Sequence, residues 1–525
     1  MSALHEEVWL EFPRNYNAAD DFVSRNCREG RGGNTAFIDP ARSLTYDELQ
    51  DGVNRFANAL REMGIQREQR VALIMLDTVD LPIAFWGAIQ AGVVPIPMNT
   101  LLASDQYEYM LNDSRAVALV VSGALLPKAE GLLGNSVSNL SHVIVSEGEP
   151  HDGGETFTNL LAKSSDRHEI AETCCDETAF WLYSSGSTGA SKGVRHLHSS
   201  LAQTAKLFGQ DVVGVKEDDV TYSAAKIFFA YGLGNAMSFP MYVGATTILF
   251  PDRPTPDAVN DIMRKHQPTL FYGVPTLFTA MLADENLSRG AGSDRLRLCV
   301  SAGEPLPRDV GERWKAAVGA DIIDGIGSTE MLHIFVSNRP DAIEYGASGT
   351  PVPGYAARIV DENDQDVADG DIGELIINGP SSGESYWNQR EKSRHTFRGG
   401  WTYTGDKYRR ENGLYYYCGR TDDMFKVSGI WVSPFDVESA LMSHPSVLEA
   451  AVVAKEDDDG LLKPKAFIIF NDGIELNDDL ASDLKEHVKS VEGPWKYPRW
   501  IEAVADLPKT ATGKIQRFKL RDTAA

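Results

Sequence analysis

Between Tyr183 and Gly193 the chain reads Tyr-Ser-Ser-Gly-Ser-Thr-Gly-Ala-Ser-Lys-Gly, a stretch of glycines and hydroxyl side chains with a single lysine. Those residue types suit the gripping of phosphate. Glycine admits φ > 0 and lets backbone N–H groups close on an anion, while Ser and Thr add donors and Lys192 adds a charge. The residues expected to take part are Ser184, Ser185, Gly186, Ser187, Thr188, Gly189 and Lys192. The apolar Ala179-Phe180-Trp181-Leu182 ahead of them reads as a strand that delivers the loop. The spacing is not that of a Walker loop: Ser191 stands where such a loop repeats its glycine, and Lys192 is followed by Gly193 rather than Ser or Thr. Taken alone, the stretch also reads as a plain Gly/Ser turn.

Further polar, glycine-punctuated segments follow. They are Asp324-Gly325-Ile326-Gly327-Ser328-Thr329-Glu330, Tyr403-Thr404-Gly405-Asp406, Gly419-Arg420-Thr421-Asp422-Asp423 with Lys426-Val427-Ser428-Gly429, and Pro508-Lys509-Thr510-Ala511-Thr512-Gly513-Lys514. In this order, and over nearly the whole chain, the set resembles the acyl-adenylate-forming superfamily of acyl-CoA synthetases, luciferase-like enzymes and peptide-synthetase adenylation domains. The resemblance implies activation of a carboxylate by ATP, with pyrophosphate leaving, followed by transfer of the acyl group to CoA. A carboxylate is a poor electrophile, and the catalyst's task is to bring two anions together with positioned donors, cations and Mg²⁺.

The same resemblance assigns roles. The Ser184–Lys192 loop would hold the β- and γ-phosphates. Thr329 would contact the α-phosphate and Glu330 the Mg²⁺, which needs hard oxygen ligands and commonly takes one or two carboxylates. As an isolated pair, Thr329-Glu330 reads only as a helix start. Gly303-Glu304-Pro305 and Asp324-Gly325-Ile326 would enclose adenine, with Ile326 standing where an aromatic residue is usual. Asp406 would accept from the ribose hydroxyls with help from Arg420. Lys514 resembles the lysine that bridges carboxylate and α-phosphate; outside that context it is a solvent-facing lysine. Asp422 would be the hinge of a rotating C-terminal domain. Lys426, Ser428 and Gly429 would face the site in the thioester-forming arrangement, Gly429 letting pantetheine pass.

For the acid, Lys226-Ile227-Phe228-Phe229-Ala230-Tyr231-Gly232-Leu233-Gly234-Asn235 and Met331-Leu332-His333-Ile334-Phe335 resemble the benzoate-CoA ligase subgroup. Ala230, Gly232 and Gly327 would leave a flat slot, and Tyr231, Ile334 and Phe228 would wall it for one ring. His333 would touch the carboxylate or a ring substituent, or else be a hydrogen-bonded structural histidine. The Phe228-Phe229 pair alone reads as core. The alternatives kept open are a ligase for hydroxy- or aminobenzoate and an adenylating enzyme that loads a carrier protein.

These residues need a large scaffold to position them. At 525 residues, with 42% hydrophobic and 24% charged residues, the chain exceeds one core. Thr45-Tyr46-Asp47-Glu48 reads as a capping box opening a helix whose apolar face is Leu49, Val53, Phe56, Ala57 and Leu60, stopped by Gly64. Strand-like runs at 71–75, 93–97, 119–121, 143–145, 247–250, 270–272 and 298–300 alternate with helical stretches, the rhythm of a parallel sheet. Beyond Arg420 the pattern changes to helices at 437–442 and 480–491 with strands at 449–453 and 466–470. The expected fold class is α/β: a large N-terminal domain of layered sheets and helices, residues 1–421, with a small mobile α+β C-terminal domain, residues 422–525.

The net charge of −25 argues against nucleic-acid and anionic-membrane partners. No signal peptide opens the chain, and the apolar run 116–126 is too short to span a bilayer, so the cytoplasm is the expected location. The five cysteines form no C-x-x-C pair, so buried free thiols are expected rather than disulfides or zinc. The expected partners are an aryl carboxylate, ATP and CoA, with a homodimer and an acetyltransferase or deacetylase acting on Lys514 as further expectations.

Overall fold

The computed structural model describes residues 8–133, 136–151, 154–186, 189–284, 287–421, 423–427, 430–457, 461–509 and 515–524. The helix over Tyr46–Glu62 opens with the expected capping box: the Thr45 hydroxyl accepts from the Glu48 amide, and the Glu48 carboxylate accepts from the Thr45 amide at 2.8 Å. Its buried stripe packs on the apolar helix Asp80–Gln90. The run before that helix forms the strand Arg70–Ile74, buried on both faces as a strand in a helix-covered parallel sheet must be.

That strand lies in a five-stranded, wholly parallel sheet with Val94–Pro97, Ala118–Ser122, His142–Ser146 and Glu155–Thr156. A nine-stranded sheet lies beside it. Its parallel centre contains Thr246–Ile248, Val220–Ser223, Leu270–Gly273, Leu298–Ser301 and Asp321–Gly327. Both of its edges turn antiparallel, at Ser43–Thr45 on one side and at Ile334–Ser337 with Thr350–Pro351 on the other. A third, antiparallel sheet takes Ala356–Val360, Gly373–Asn378, Phe397–Arg398, Trp401–Glu411 and Leu414–Arg420. The α/β class and its layering are as expected.

Beyond Arg420, a separate core forms around the strands Val447–Glu456, Leu462–Phe470 and Trp500–Ala503. Helices Pro434–Met442 and Asp478–Glu492 cover one face with Val437, Leu441, Leu484 and Val488, and Leu507 and Leu520 pack on the other. At the seam, Tyr417 meets Phe435 with ring centroids 5.6 Å apart, and Arg521 pairs with Asp423 at 3.0 Å.

The cysteines correct the expectation in part. All five are free thiols, but only Cys299 and Cys418 are buried, while Cys27, Cys174 and Cys175 are half-buried. Among the described residues no helix is long and apolar enough to cross a membrane.

Candidate functional site

The described residues of the glycine-rich stretch lie on two paired antiparallel strands. Strand Thr178–Gly186 arrives as expected, but the chain returns as a second strand, Gly189–Leu197, rather than as the helix that follows a Walker loop. Ser184 pairs with Lys192 across it, and Gly186 with Gly189. This register puts the Ser184 hydroxyl 3.1 Å from Oε1 of Glu330, to which it donates. The hydroxyl of Tyr386 donates to the same oxygen at 2.8 Å. Burial holds the Lys192 ammonium below the usual lysine pKa, with the Glu330 carboxylate opposing the shift, and its Nζ lies 4.3 Å from the centroid of the Tyr386 ring. Among the described residues Glu330 Oε2 accepts no hydrogen bond, so one carboxylate oxygen is held and the other is open. A hard, singly committed carboxylate fits Mg²⁺ completed by phosphate oxygens and water.

Thr329 and Glu330 open no helix. They lie in a tight turn in which Leu332 takes φ +67°, a conformation unfavourable for a branched side chain. The Gly383 amide donates to the Glu330 carbonyl at 2.7 Å, fastening that turn to the segment that carries Tyr386.

On the side expected to meet adenine, Gly303 takes φ +95° two residues beyond the end of strand Leu298–Ser301, with Glu304 and Pro305 following it half-buried. Asp324 is buried in strand Asp321–Gly327, where burial pushes its carboxyl up to about 8, opposed by the Leu306 amide. Its Oδ1 has no partner among the described residues. Ile326 pairs with Val336 and packs on the main core. On the ribose side, Asp406 and Arg420 sit opposite each other in adjacent strands. Arg420 Nη1 donates to Asp406 Oδ1 at 3.2 Å and to the Thr404 carbonyl at 3.0 Å.

The expected aryl residues also come together. Ala230, Tyr231 and Gly232 form the short helix Ala230–Leu233 after the edge-to-face pair Phe228 and Phe229. The Tyr231 hydroxyl donates to the Val300 carbonyl at 2.9 Å and lies within 3.2 Å of the Gly273 carbonyl, bracing this helix on the central sheet. His333 is buried, and burial pushes its pKa down to about 3, so it is neutral. Its Nε2 lies 3.2 Å from the Tyr231 carbonyl, to which it donates, and the ring packs edge-on against Phe239 at 4.5 Å. Of the two readings of His333, this geometry matches the structural histidine. Ile334 is buried beside it.

Gly232 and Gly327 are small for a reason other than an open slot. A Cβ on Gly232 would overlap the Lys226 carbonyl, and one on Gly327 would lie 2.7 Å from the His333 carbonyl carbon. The slot reading is corrected to that extent.

Sequence reasoning did not single out Tyr386, Asp77 or the ammonium of Lys226. Buried Asp77 accepts from the Ile227 amide at 3.3 Å, and Lys226 Nζ donates to the carbonyls of Phe250 and Asp252. Burial pushes Asp77 up to about 6, against the pull of Lys226. No local pattern marks these contacts. Lys426 lines a cleft of about 230 Å³ with Glu362, Lys407 and Met424. Ser187, Thr188, Asp422, Ser428, Gly429 and Lys514 lie outside the described residues, and Ser185, Gly186 and Gly189 are described by backbone alone.

The sequence profile of the family described as AMP-binding enzyme matches residues 23–387, and that of its C-terminal domain matches residues 436–514. The chain belongs to the AMP-binding enzyme family. This AMP-binding enzyme is 56% identical to a 4-hydroxybenzoate–CoA/benzoate–CoA ligase of Rhodopseudomonas palustris, over 97% of the chain and 94% of that protein. It is 55% identical to a benzoate–CoA ligase of Thauera aromatica, over 98% and 97% respectively. A solved benzoate CoA ligase from Burkholderia xenovorans superposes with a TM-score of 0.90 at 49% identity, covering 96% of the enzyme and 100% of that chain.

Proposed function

We propose that this protein is an ATP-dependent benzoate–CoA ligase. Benzoate attacks the α-phosphate of ATP, giving benzoyl-AMP and pyrophosphate; the CoA thiol then attacks the acyl carbon, giving benzoyl-CoA and AMP and releasing the thiol proton. The observation that carries this reading is the joining of Ser184, Lys192 and Glu330 at one antiparallel strand pair in a chain similar along nearly its whole length to benzoate–CoA ligases.

The residues divide the work. Lys192 and the hairpin amides take the β- and γ-phosphates, offsetting charge that repels the incoming carboxylate. Asp406, oriented by Arg420, receives the ribose hydroxyls. Glu330 would hold Mg²⁺, which supplies further positive charge to the phosphates. Tyr231 and Ile334 border the ring, and neutral His333 braces the Tyr231 backbone. Lys514 would contact the carboxylate and α-phosphate in the first step. Residues 422–525 would then rotate about Asp422 to bring Lys426, Ser428 and Gly429 to the CoA. The separate core beyond residue 424 supports that division. Acetylation of Lys514 would remove its charge, and a homodimer is the assembly proposed.

A second reading, in which hydroxybenzoates are also activated, is favoured by the Rhodopseudomonas palustris relative, whose name includes 4-hydroxybenzoate. The test is to supply benzoate, MgATP and CoA to the purified chain and follow benzoyl-CoA and AMP. Adenylate accumulation without CoA-dependent AMP release would favour transfer to a carrier protein, and the absence of benzoate-dependent pyrophosphate release would overturn the reading.

A further inference from the structure

Tyr386 stands between the cation and the carboxylate of the hairpin site. It lies on the two-residue strand Ser385–Tyr386, paired with Arg195 and Val194 of the hairpin's returning strand. The flanking Trp387 amide donates to the Gly193 carbonyl at 2.8 Å and the Glu384 amide to the Arg195 carbonyl at 2.9 Å, so its backbone is tied at both ends. The side chain is buried. Its hydroxyl donates to Glu330 Oε1 at 2.8 Å while its ring face carries Lys192 Nζ at 4.3 Å from the centroid.

Lys192 and Glu330 are opposite charges near one another in a half-buried site, and by themselves they would close into an ion pair. They form none in this structure; each is held on a different part of the same tyrosine. A closed pair would withdraw both charges from the nucleotide. Cation–π contact and a charge-assisted hydrogen bond are each strong enough to hold a side chain in place at such a site.

We propose that Tyr386 is a positioning residue that keeps Lys192 and Glu330 apart and fixes the Glu330 carboxylate with Oε2 open. The proposal rests on the reading that Glu330 meets the metal. Tyr386→Phe keeps the ring and removes the hydroxyl, so Glu330 loses a donor and turns toward Lys192. Tyr386→Leu removes the ring as well and frees Lys192 to follow.

The experiment measures Mn²⁺ affinity by electron paramagnetic resonance on the full chain with α,β-methylene-ATP. Alongside it, benzoate-dependent pyrophosphate exchange and CoA attack on supplied benzoyl-AMP are assayed. Tyr386→Phe should weaken Mn²⁺ binding and slow exchange about tenfold, the scale of one lost hydrogen bond to a charged group. CoA attack should stay within about twofold, and Tyr386→Leu should in addition weaken the ATP analogue itself. Mn²⁺ affinity unchanged in Tyr386→Phe, or equal losses in both half-reactions, would overturn the proposal. Glu330→Gln separates the two failures. If it too leaves Mn²⁺ binding unchanged, the role of Glu330 falls with the proposal; if it alone weakens binding, only the part given to Tyr386 falls.

Discussion

The carbonyl oxygen of Lys226 occupies the space in which Gly232 would carry a Cβ, so the loop before the short helix Ala230–Leu233 and the helix itself are in backbone contact. Gly232→Ala must push that loop away. Overpacking of this kind costs about 1–3 kcal/mol. The variant should therefore unfold earlier and show a raised KM for benzoate, with the KM for ATP unchanged. Steady-state kinetics on both substrates checks this, and a rise confined to ATP would contradict it.

Ala230 is the contrasting position, because it lies at the head of the same helix beside Phe228 and Phe229. Ala230→Leu adds bulk where the ring is expected and should raise the KM for benzoate strongly while leaving ATP binding intact. One methylene-sized contact changes discrimination by about 1–3 kcal/mol, so fluoro- or aminobenzoates should be used by the unaltered enzyme nearly as well as benzoate. Faster turnover of dodecanoate than of benzoate would remove the aryl reading.

His333 is neutral because burial carries its pKa from 6.5 down to about 3. It should not titrate in the working range, so the pH–rate profile between about pH 5.5 and 8 should keep its shape in His333→Phe. The same variant removes one of two donors to the Tyr231 carbonyl, the Gly234 amide remaining, at a cost of about 0.5–1.5 kcal/mol, and should melt slightly lower and bind benzoate more weakly. A limb near pH 6.5 in the native profile that vanishes in the variant would show a titrating histidine instead.

Asp324 shifts the opposite way, from 3.8 up to about 8. Between those values the folded protein keeps a proton that the unfolded chain has lost. This group's contribution to stability is therefore present below 3.8 and is lost as pH rises through about 8. Asp324→Asn imitates the protonated acid but does not titrate. Denaturant unfolding should show the variant gaining on the native protein by up to about 1.4 kcal/mol per pH unit on approach to pH 8. A constant difference across that range would mean that Asp324 is ionised when folded.

The terminal Thr512-Gly513-Lys514 motivates a separation of half-reactions. Lys514→Ala should slow pyrophosphate exchange by a factor on the order of 10²–10³, as loss of one aimed charge does, yet spare CoA attack on supplied benzoyl-AMP. Asp422→Pro should do the reverse, leaving adenylation and suppressing thioester formation, since fixing φ near −65° blocks a hinge. Equal effects on both steps would remove the two-arrangement scheme.

Much of the scaffold is legible locally. Continuous apolar runs mark the strands Arg70–Ile74, Ala118–Ser122, Leu270–Gly273 and Leu298–Ser301 to within a residue or two, because burial on both faces leaves an unbroken hydrophobic signature. Thr45 and Glu48 announce their helix because a capping box needs only neighbours in sequence. The antiparallel sheet of 356–420 gave no such signal, since its strands are half-buried and mixed in polarity.

By itself the sequence determined the chemistry on offer: which residues carry charge, which backbone positions admit φ > 0, and the order of segments that marks an adenylate-forming enzyme. Tertiary structure alone decided which of these meet. Tyr386 reaches Glu330 only because a strand far along the chain pairs with Val194, and His333 is neutral only because Phe208, Tyr231 and Phe239 enclose it. Long-range register and burial set those distances and proton affinities, and neither is a property of any short stretch of chain.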